Sequence, residues 1–202
     1  MSHPELTYEE AKEVIGILPS LEPRPNATNI RALSIDLVDK LTTMPSQQSA
    51  DHGYAGMVQP VEIYALDTNV PWGDWTDPGP HFNIDISWDD ETKEQEELIY
   101  KANKLVFGNQ QNIKRAVIDA LNVAVPRAYR RGTGVGTKLY RATDDPRAIL
   151  NRLNELYGKM TSQEKTNMET QWSALWAPAE PIETLFDRLE ECYIQALRNK
   201  PA

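Results

Sequence analysis

The stretch DDETKEQEELIYKANKLVFGNQQNIKRAVIDALNVAVP, residues 89–126, decides the fold class. Its acids crowd the first turns, where the helix dipole favours negative charge. Leu98, Ile99, Ala102, Leu105 and Val106 then recur at helical spacing and are expected to form a buried face. Gly108-Asn109 predicts a break. Beyond it Ile113, Ala116, Val117, Ala120, Leu121 and Ala124 line a further helix, which Pro126 stops. Two helices in succession, without alternation of period two, point to an all-α chain.

The upstream sequence agrees. Thr7 and Glu10 have capping-box spacing ahead of Ala11, Val14, Ile15 and Leu18. The prolines after Leu18 impose an extended segment. Asn26 then caps a second helix carrying Ile30, Leu33, Leu37, Leu41 and Met44, ended by Pro45, and a shorter helix is expected around Val58 to Leu66. Residues 67–88, DTNVPWGDWTDPGPHFNIDISW, are too rich in proline and glycine for a long regular element. Trp72, Trp75 and Trp88 suggest that this irregular segment is pinned onto a core. A short strand is conceivable at Ile84 and Ile86.

Downstream, Asp145-Pro146 predicts a helix start, with Ile149, Leu150, Leu153 and Leu156 inward and Gly158 at the end. Thr161 and Glu164 have capping-box spacing for a helix to about Leu175. Pro178 and Pro181 precede a last helix with Ile182, Leu185, Phe186, Leu189 and Tyr193 inward.

The 202 residues, 40% hydrophobic and 25% charged, suffice for a sizeable core. No apolar run approaches the roughly 18 residues of a membrane helix, and the acidic N-terminus lacks the layout of a secretion signal. Cys192 is the only cysteine, which excludes an intrachain disulfide. The composition reads as a soluble cytoplasmic protein. The net charge of −9 is uneven: residues 1–100 carry 19 acids against 5 bases, residues 101–202 carry 11 against 16.

RRGTGVGTKLYR, residues 130–141, holds three alternating glycines before a lysine. A phosphate loop places the lysine directly after glycine and a hydroxyl residue after the lysine. Here Thr137 precedes Lys138 and Leu139 follows it, so both requirements fail. The glycines fit a flexible connector better. Around them stand Lys114, Arg115, Arg127, Arg130, Arg131, Lys138, Arg141 and Arg147. Two readings stay open for this basic group. Either Arg127, Arg130, Arg131, Lys138 and Arg141 contact RNA or another polyanion, or the group forms a solvated surface pairing with acids of the first half, in the same copy or a neighbour.

Catalysis has no constellation to rest on. His3, His52 and His81 have no metal-ligand spacing, no nucleophile–base pair can be assembled, and Cys192 lies on an apolar helix face. No metal, cofactor or enzymatic activity is expected. Trp172 and Trp176 share one helix face before the turn at Pro178 and Pro181, either as core anchors or as a partner-facing patch.

The run DDPRAILNRLNELYGKMTSQEKTNMETQWSALWAPAEPIETLFDRLEECYIQAL, residues 144–197, resembles the Gag (capsid) polyprotein of copia-type LTR retrotransposons. The resemblance rests on the helix ending in Leu156-Tyr157-Gly158, the polar helix closing on Trp172, Trp176-Ala-Pro178, and Pro181-Ile182-Glu183-x-Leu185-Phe186. AVIDALNVAVPRAYRR, residues 116–131, fits the same pattern, and HGYAGMVQPVEIYAL matches more loosely. The resemblance implies a two-lobed helical capsid: an N-terminal lobe over residues 1–158 and the start of a C-terminal dimerisation lobe over 159–202. It implies a structural protein that self-associates into a virus-like particle enclosing RNA, with Trp172, Trp176, Leu185 and Phe186 as interface or lobe-core anchors. The alternative is a domesticated derivative that binds RNA or acts in regulation without building a shell. Two departures stand out. Related Gags continue with further helices after the last one here, so the C-terminal lobe is expected to be incomplete, and a single cysteine cannot build the CCHC zinc knuckle.

Overall fold

The structure, a computed structural model, describes residues 5–69, 71–131, 138–159, 162–174, 181–186 and 188–189. Every regular element among them is helical and there is no strand. The order is α1 (Tyr8–Ile15), α2 (Ala27–Thr42), a 3-10 turn at Ala55–Met57, α3 (Val61–Thr68), α4 (Asp90–Ala124), α5 (Pro146–Tyr157) and α6 (Ser162–Ser173).

The predicted caps form. Thr7 Oγ1 accepts from the Glu10 N–H at 3.3 Å, and the Glu10 carboxylate accepts from the Thr7 N–H at 2.8 Å. Asn26 and Asn29 repeat this exchange at the start of α2, at 2.9 and 2.8 Å. Asp145 accepts from the Arg147 and Ala148 N–H groups, with Pro146 opening α5. Each cap satisfies amides that the first helical turn leaves unpaired. Thr161 lies outside the described residues, although α6 begins directly after it.

α1, α2, the C-terminal half of α4 and α5 enclose one core. Ile15, Leu33, Leu37, Leu41, Ile113, Val117 and Leu121 are all fully buried in it. Leu18 and Leu21, from the proline-rich segment, join them, and the Leu21 N–H donates to the Ala124 carbonyl at 2.9 Å. All members of this core fall between Ala11 and Leu153.

Residues 89–126 correct the sequence reading. α4 does not break at Gly108-Asn109 but runs for 35 residues. A helical glycine costs about 1 kcal/mol relative to alanine, less than the packing of the following turns supplies. The polar run after it serves tertiary contacts. Asn109 Oδ1 accepts from the Leu6 N–H at 2.8 Å, and Asn112 Nδ2 donates to the Leu6 carbonyl at 2.9 Å. These two side chains, three positions apart on one face, clamp the entry to α1. Tyr8 Oη donates to Asp119 at 2.7 Å, while the Arg115 guanidinium lies 4.5 Å from the Tyr8 ring centroid.

A substitution reads the continuity of α4 directly. An added Cβ at Gly108 would meet no heavy atom within 4 Å. Gly108→Ala is therefore expected to raise stability by about 0.5–1 kcal/mol in urea unfolding. A loss of stability would mean that the helix needs glycine there, as a break does.

The irregular segment descends along α4. The Trp75 N–H donates to Gln110 Oε1 at 2.9 Å, Lys104 Nζ donates to Asp77 at 3.0 Å and to the Gly79 carbonyl at 2.9 Å, and Tyr100 Oη donates to the same carbonyl. Phe82 then packs on Tyr100 and on Trp88. The expectation of a pinned loop holds. The conceivable strand at Ile84 and Ile86 does not form: both side chains are exposed, and Asp85 closes a turn onto the Ser87 N–H at 2.9 Å.

The expected buried face of Leu98, Ile99 and Ala102 is also corrected. These residues are exposed, Leu98 at 67%, because α4 outruns the helices that cover its other half. Leu156 is exposed as well; Ile149, Leu150 and Leu153 face inward as expected.

Candidate functional site

The basic residues of 127–141 gather at the C-terminal end of α4. Beyond its last residue, Ala124, Arg130 Nε donates to the Val125 carbonyl at 2.8 Å. Asn122 holds the returning chain by both polar groups of its amide: the Tyr140 N–H donates to Oδ1 and Nδ2 donates to the Tyr140 carbonyl, each at 2.9 Å. Both flanks of the glycine stretch are thereby moored on one helix end. Residues 132–137 themselves lie outside the described residues.

Tyr140 sits beneath this surface, 3% exposed. Burial pushes its phenol up to about 12, against the opposing pull of an Arg131 backbone hydrogen bond and the Arg130 and Arg152 guanidiniums. Burial also lowers Arg130. Tyr129 and Tyr157 meet edge to face at 5.5 Å and tie the segment to α5.

The structure divides the basic group by role. Arg127, Arg131, Lys138 and Arg141 are exposed, whereas Arg130 is half-buried and caps a carbonyl. Arg147 turns inward and donates to the Gly56 carbonyl, and Arg115, exposed, is stacked on Tyr8 near the start of α1, so neither joins the group at the end of α4. Arg152, exposed on α5, was not among the sequence candidates. Its position one residue before the buried Leu153 carries no signal; only the packing of α5 brings it near Tyr140.

Within one copy, the ion pairs among the described residues include Lys40–Asp36, Lys93–Asp90, Lys101–Glu97 and Lys104–Asp77. None uses a basic residue of 127–141.

The second candidate surface is the C-terminal one. Every residue of α6 whose burial is described is exposed, Trp172 at 52%. Residues 182–186 are helical, with Leu185 half-buried and Phe186 60% exposed. The expectation that Ile182 and Phe186 face inward is corrected: both lie open to solvent. Trp176, Tyr193 and Cys192 fall outside the described residues.

A shallow groove of about 530 Å³ opens between the irregular segment and α4, lined by Gln48, Trp75, Thr76, Asp77, Pro78 and Asn103 among others. Its acids are already engaged. Asp74 accepts from the Trp72 indole N–H at 3.3 Å and from Gln110 Nε2 at 2.8 Å, and Asp77 pairs with Lys104. The groove holds no nucleophile with an adjacent base. His52 packs edge-on against Tyr64. Among the described residues no three of His, Cys, Asp and Glu converge as a ligand set, and no helix is long and apolar enough to cross a membrane.

Comparison with known families, curated proteins and solved structures finds no match. The chemistry of the surfaces therefore carries the functional reading.

Proposed function

We propose that this chain is a structural, non-enzymatic protein of the copia-type Gag class, which works by self-association around RNA. The observation that carries the reading is the exposure of Trp172 and Phe186 on the segment that the sequence resemblance assigns to dimerisation. Large aromatic side chains in water disfavour the lone chain, and burial of each contributes on the order of 2 kcal/mol. The core of the described residues, between Ala11 and Leu153, fits an N-terminal lobe, with the following helices as the beginning of a second.

Sedimentation velocity across a concentration series, with electron microscopy of the most concentrated sample, tests it. Concentration-dependent oligomers are expected, weakened by Trp172→Ala together with Phe186→Ala. A strictly monomeric chain at every concentration and salt would overturn self-association.

One observation favours a second reading, a domesticated RNA binder that builds no shell. Arg127, Arg131, Lys138 and Arg141 are exposed and engage no acid among the described ion pairs. Alanine at all four is expected to lower affinity for single-stranded RNA at least about tenfold and to flatten its salt dependence. Arg130 is left intact because it caps the end of α4.

A further inference from the structure

α4 carries opposite charge at its two ends. Residues 85–97, at its start, hold seven acids and one lysine; residues 126–141, just past its end, hold five bases and no acid. The helix between them is continuous over 35 residues, and a helix of that length measures about 50 Å. No fold-back brings one end of a continuous helix to the other. The two complementary surfaces of one copy therefore cannot neutralise each other.

Each end also presents exposed apolar side chains. On the acidic arm, residues 90–101, Glu91, Glu94 and Leu98 follow one stripe of the helix. Leu98 is 67% exposed there. At the basic end Val123 is 79% exposed and Leu139 is exposed beside Lys138. Like charge disfavours the chain's own C-terminal segment as the occupant of the arm, since residues 162–202 carry seven acids against four bases.

We infer that the unpartnered face of α4 around Leu98 docks on the basic end of a second copy of this chain, with Glu91 and Glu94 facing Arg127, Arg131 and Lys138. The inference rests on the self-association reading and names a surface for it distinct from Trp172 and Phe186. The contact is heterologous, joining two different patches. Each added copy leaves one acidic and one basic end free, so the assembly closes into a ring or continues as a filament. Charge fixes the orientation and speeds the encounter, while Leu98, Val123 and Leu139 supply the apolar burial that holds it.

Charge reversal in the full 202-residue chain tests this. An arm variant carries Glu91→Lys, Glu94→Lys and Glu97→Lys; an end variant carries Arg127→Glu, Arg131→Glu and Lys138→Glu. All six positions are exposed. Each variant alone is expected to self-associate at least about tenfold more weakly at low salt, where surface charges are least screened. An equimolar mixture of the two is expected to recover association, because the lysine arm of one then meets the glutamate end of the other. Recovery also excludes misfolding as the cause of the losses.

Undiminished association of both single variants would overturn the contact while leaving self-association standing. Failure of the mixture to recover would overturn it as well. A wild-type chain that stays monomeric throughout would remove both readings together. Dissociation of the wild type by ribonuclease would place RNA, not a second copy, on the basic end and overturn the proposal.

Discussion

Gly53→Ala is expected to cost more than about 3 kcal/mol, enough to leave little folded protein if stability is ordinary for a domain of this size. Gly53 has φ +49°, and a Cβ built on it would lie 2.4 Å from the carbonyl oxygens of Leu41 and Met44 and 2.7 Å from that of Thr42. These are carbonyls at the C-terminal end of α2, where the chain folds back and the Tyr54 N–H donates to Leu41 at 3.0 Å. Backbone oxygens in a capped helix end cannot step aside as a side chain can. The left-handed conformation adds about 1–2 kcal/mol for alanine.

Two controls separate the causes in urea unfolding at constant m-value. Asparagine tolerates positive φ, as Asn69 does at φ +58°, yet Gly53→Asn is expected to be as damaging as alanine because it still carries the Cβ. Gly79 has φ +90° with nothing within 4 Å of an added Cβ, so Gly79→Ala should cost only the backbone term. Rescue by asparagine at position 53 would show that conformation, not crowding, sets the cost.

The ends of helices were legible because they are local. Thr7 with Glu10, Asn26 and Asp145-Pro146 need only residues within a turn to act, and all three form as read. The break at Gly108-Asn109 was misread for the complementary reason. Asn109, Gln110 and Asn112 look like a polar interruption, yet Asn109 and Gln110 are buried because their partners are Leu6, Asp74 and Trp75, distant in sequence. Apolar spacing at Leu98, Ile99 and Ala102 likewise reports an amphipathic face. It does not report whether another element reaches that face, and here none of the described ones covers it.

The same boundary runs through the candidate surfaces. Charge density along the chain was enough to find Arg127, Arg131, Lys138 and Arg141. The inward turns of Arg130 and Arg147, the stacking of Arg115 on Tyr8, and the arrival of Arg152 depend on how α4, α5 and α1 pack, which no local pattern encodes. The uneven charge of the two halves was visible in the sequence. Its separation by one rigid helix, the feature that turns asymmetry into an intermolecular argument, appears only once α4 is seen to be unbroken.

Trp72→Ala is expected to remove about 3–5 kcal/mol, the largest loss for a single side chain outside the helices. The indole is 8% exposed and meets Tyr54 at 5.9 Å and Tyr64 at 5.7 Å between ring centroids, both edge to face. Its N–H donates to Asp74, which Gln110 holds in turn, and Gln110 also accepts from the Trp75 N–H. Truncation thus empties the centre of the aromatic cluster and loosens the irregular segment from α4. Gly56 provides the internal check. A Cβ on it would stand 2.6 Å from Trp72 Cε3, so Gly56→Ala alone should cost about 2 kcal/mol by forcing the ring outward. In the Trp72→Ala background the clash with the ring is gone and only the Cβ of residue 72, 2.8 Å from the added methyl, still crowds it, so the same substitution should cost clearly less than in the native chain. The double variant is then more stable than the sum of the single losses by at least about 1 kcal/mol. Additive losses in urea unfolding would mean that Gly56 and the indole do not share that space, and the close approach of the 55–57 turn to Trp72 would have to be abandoned.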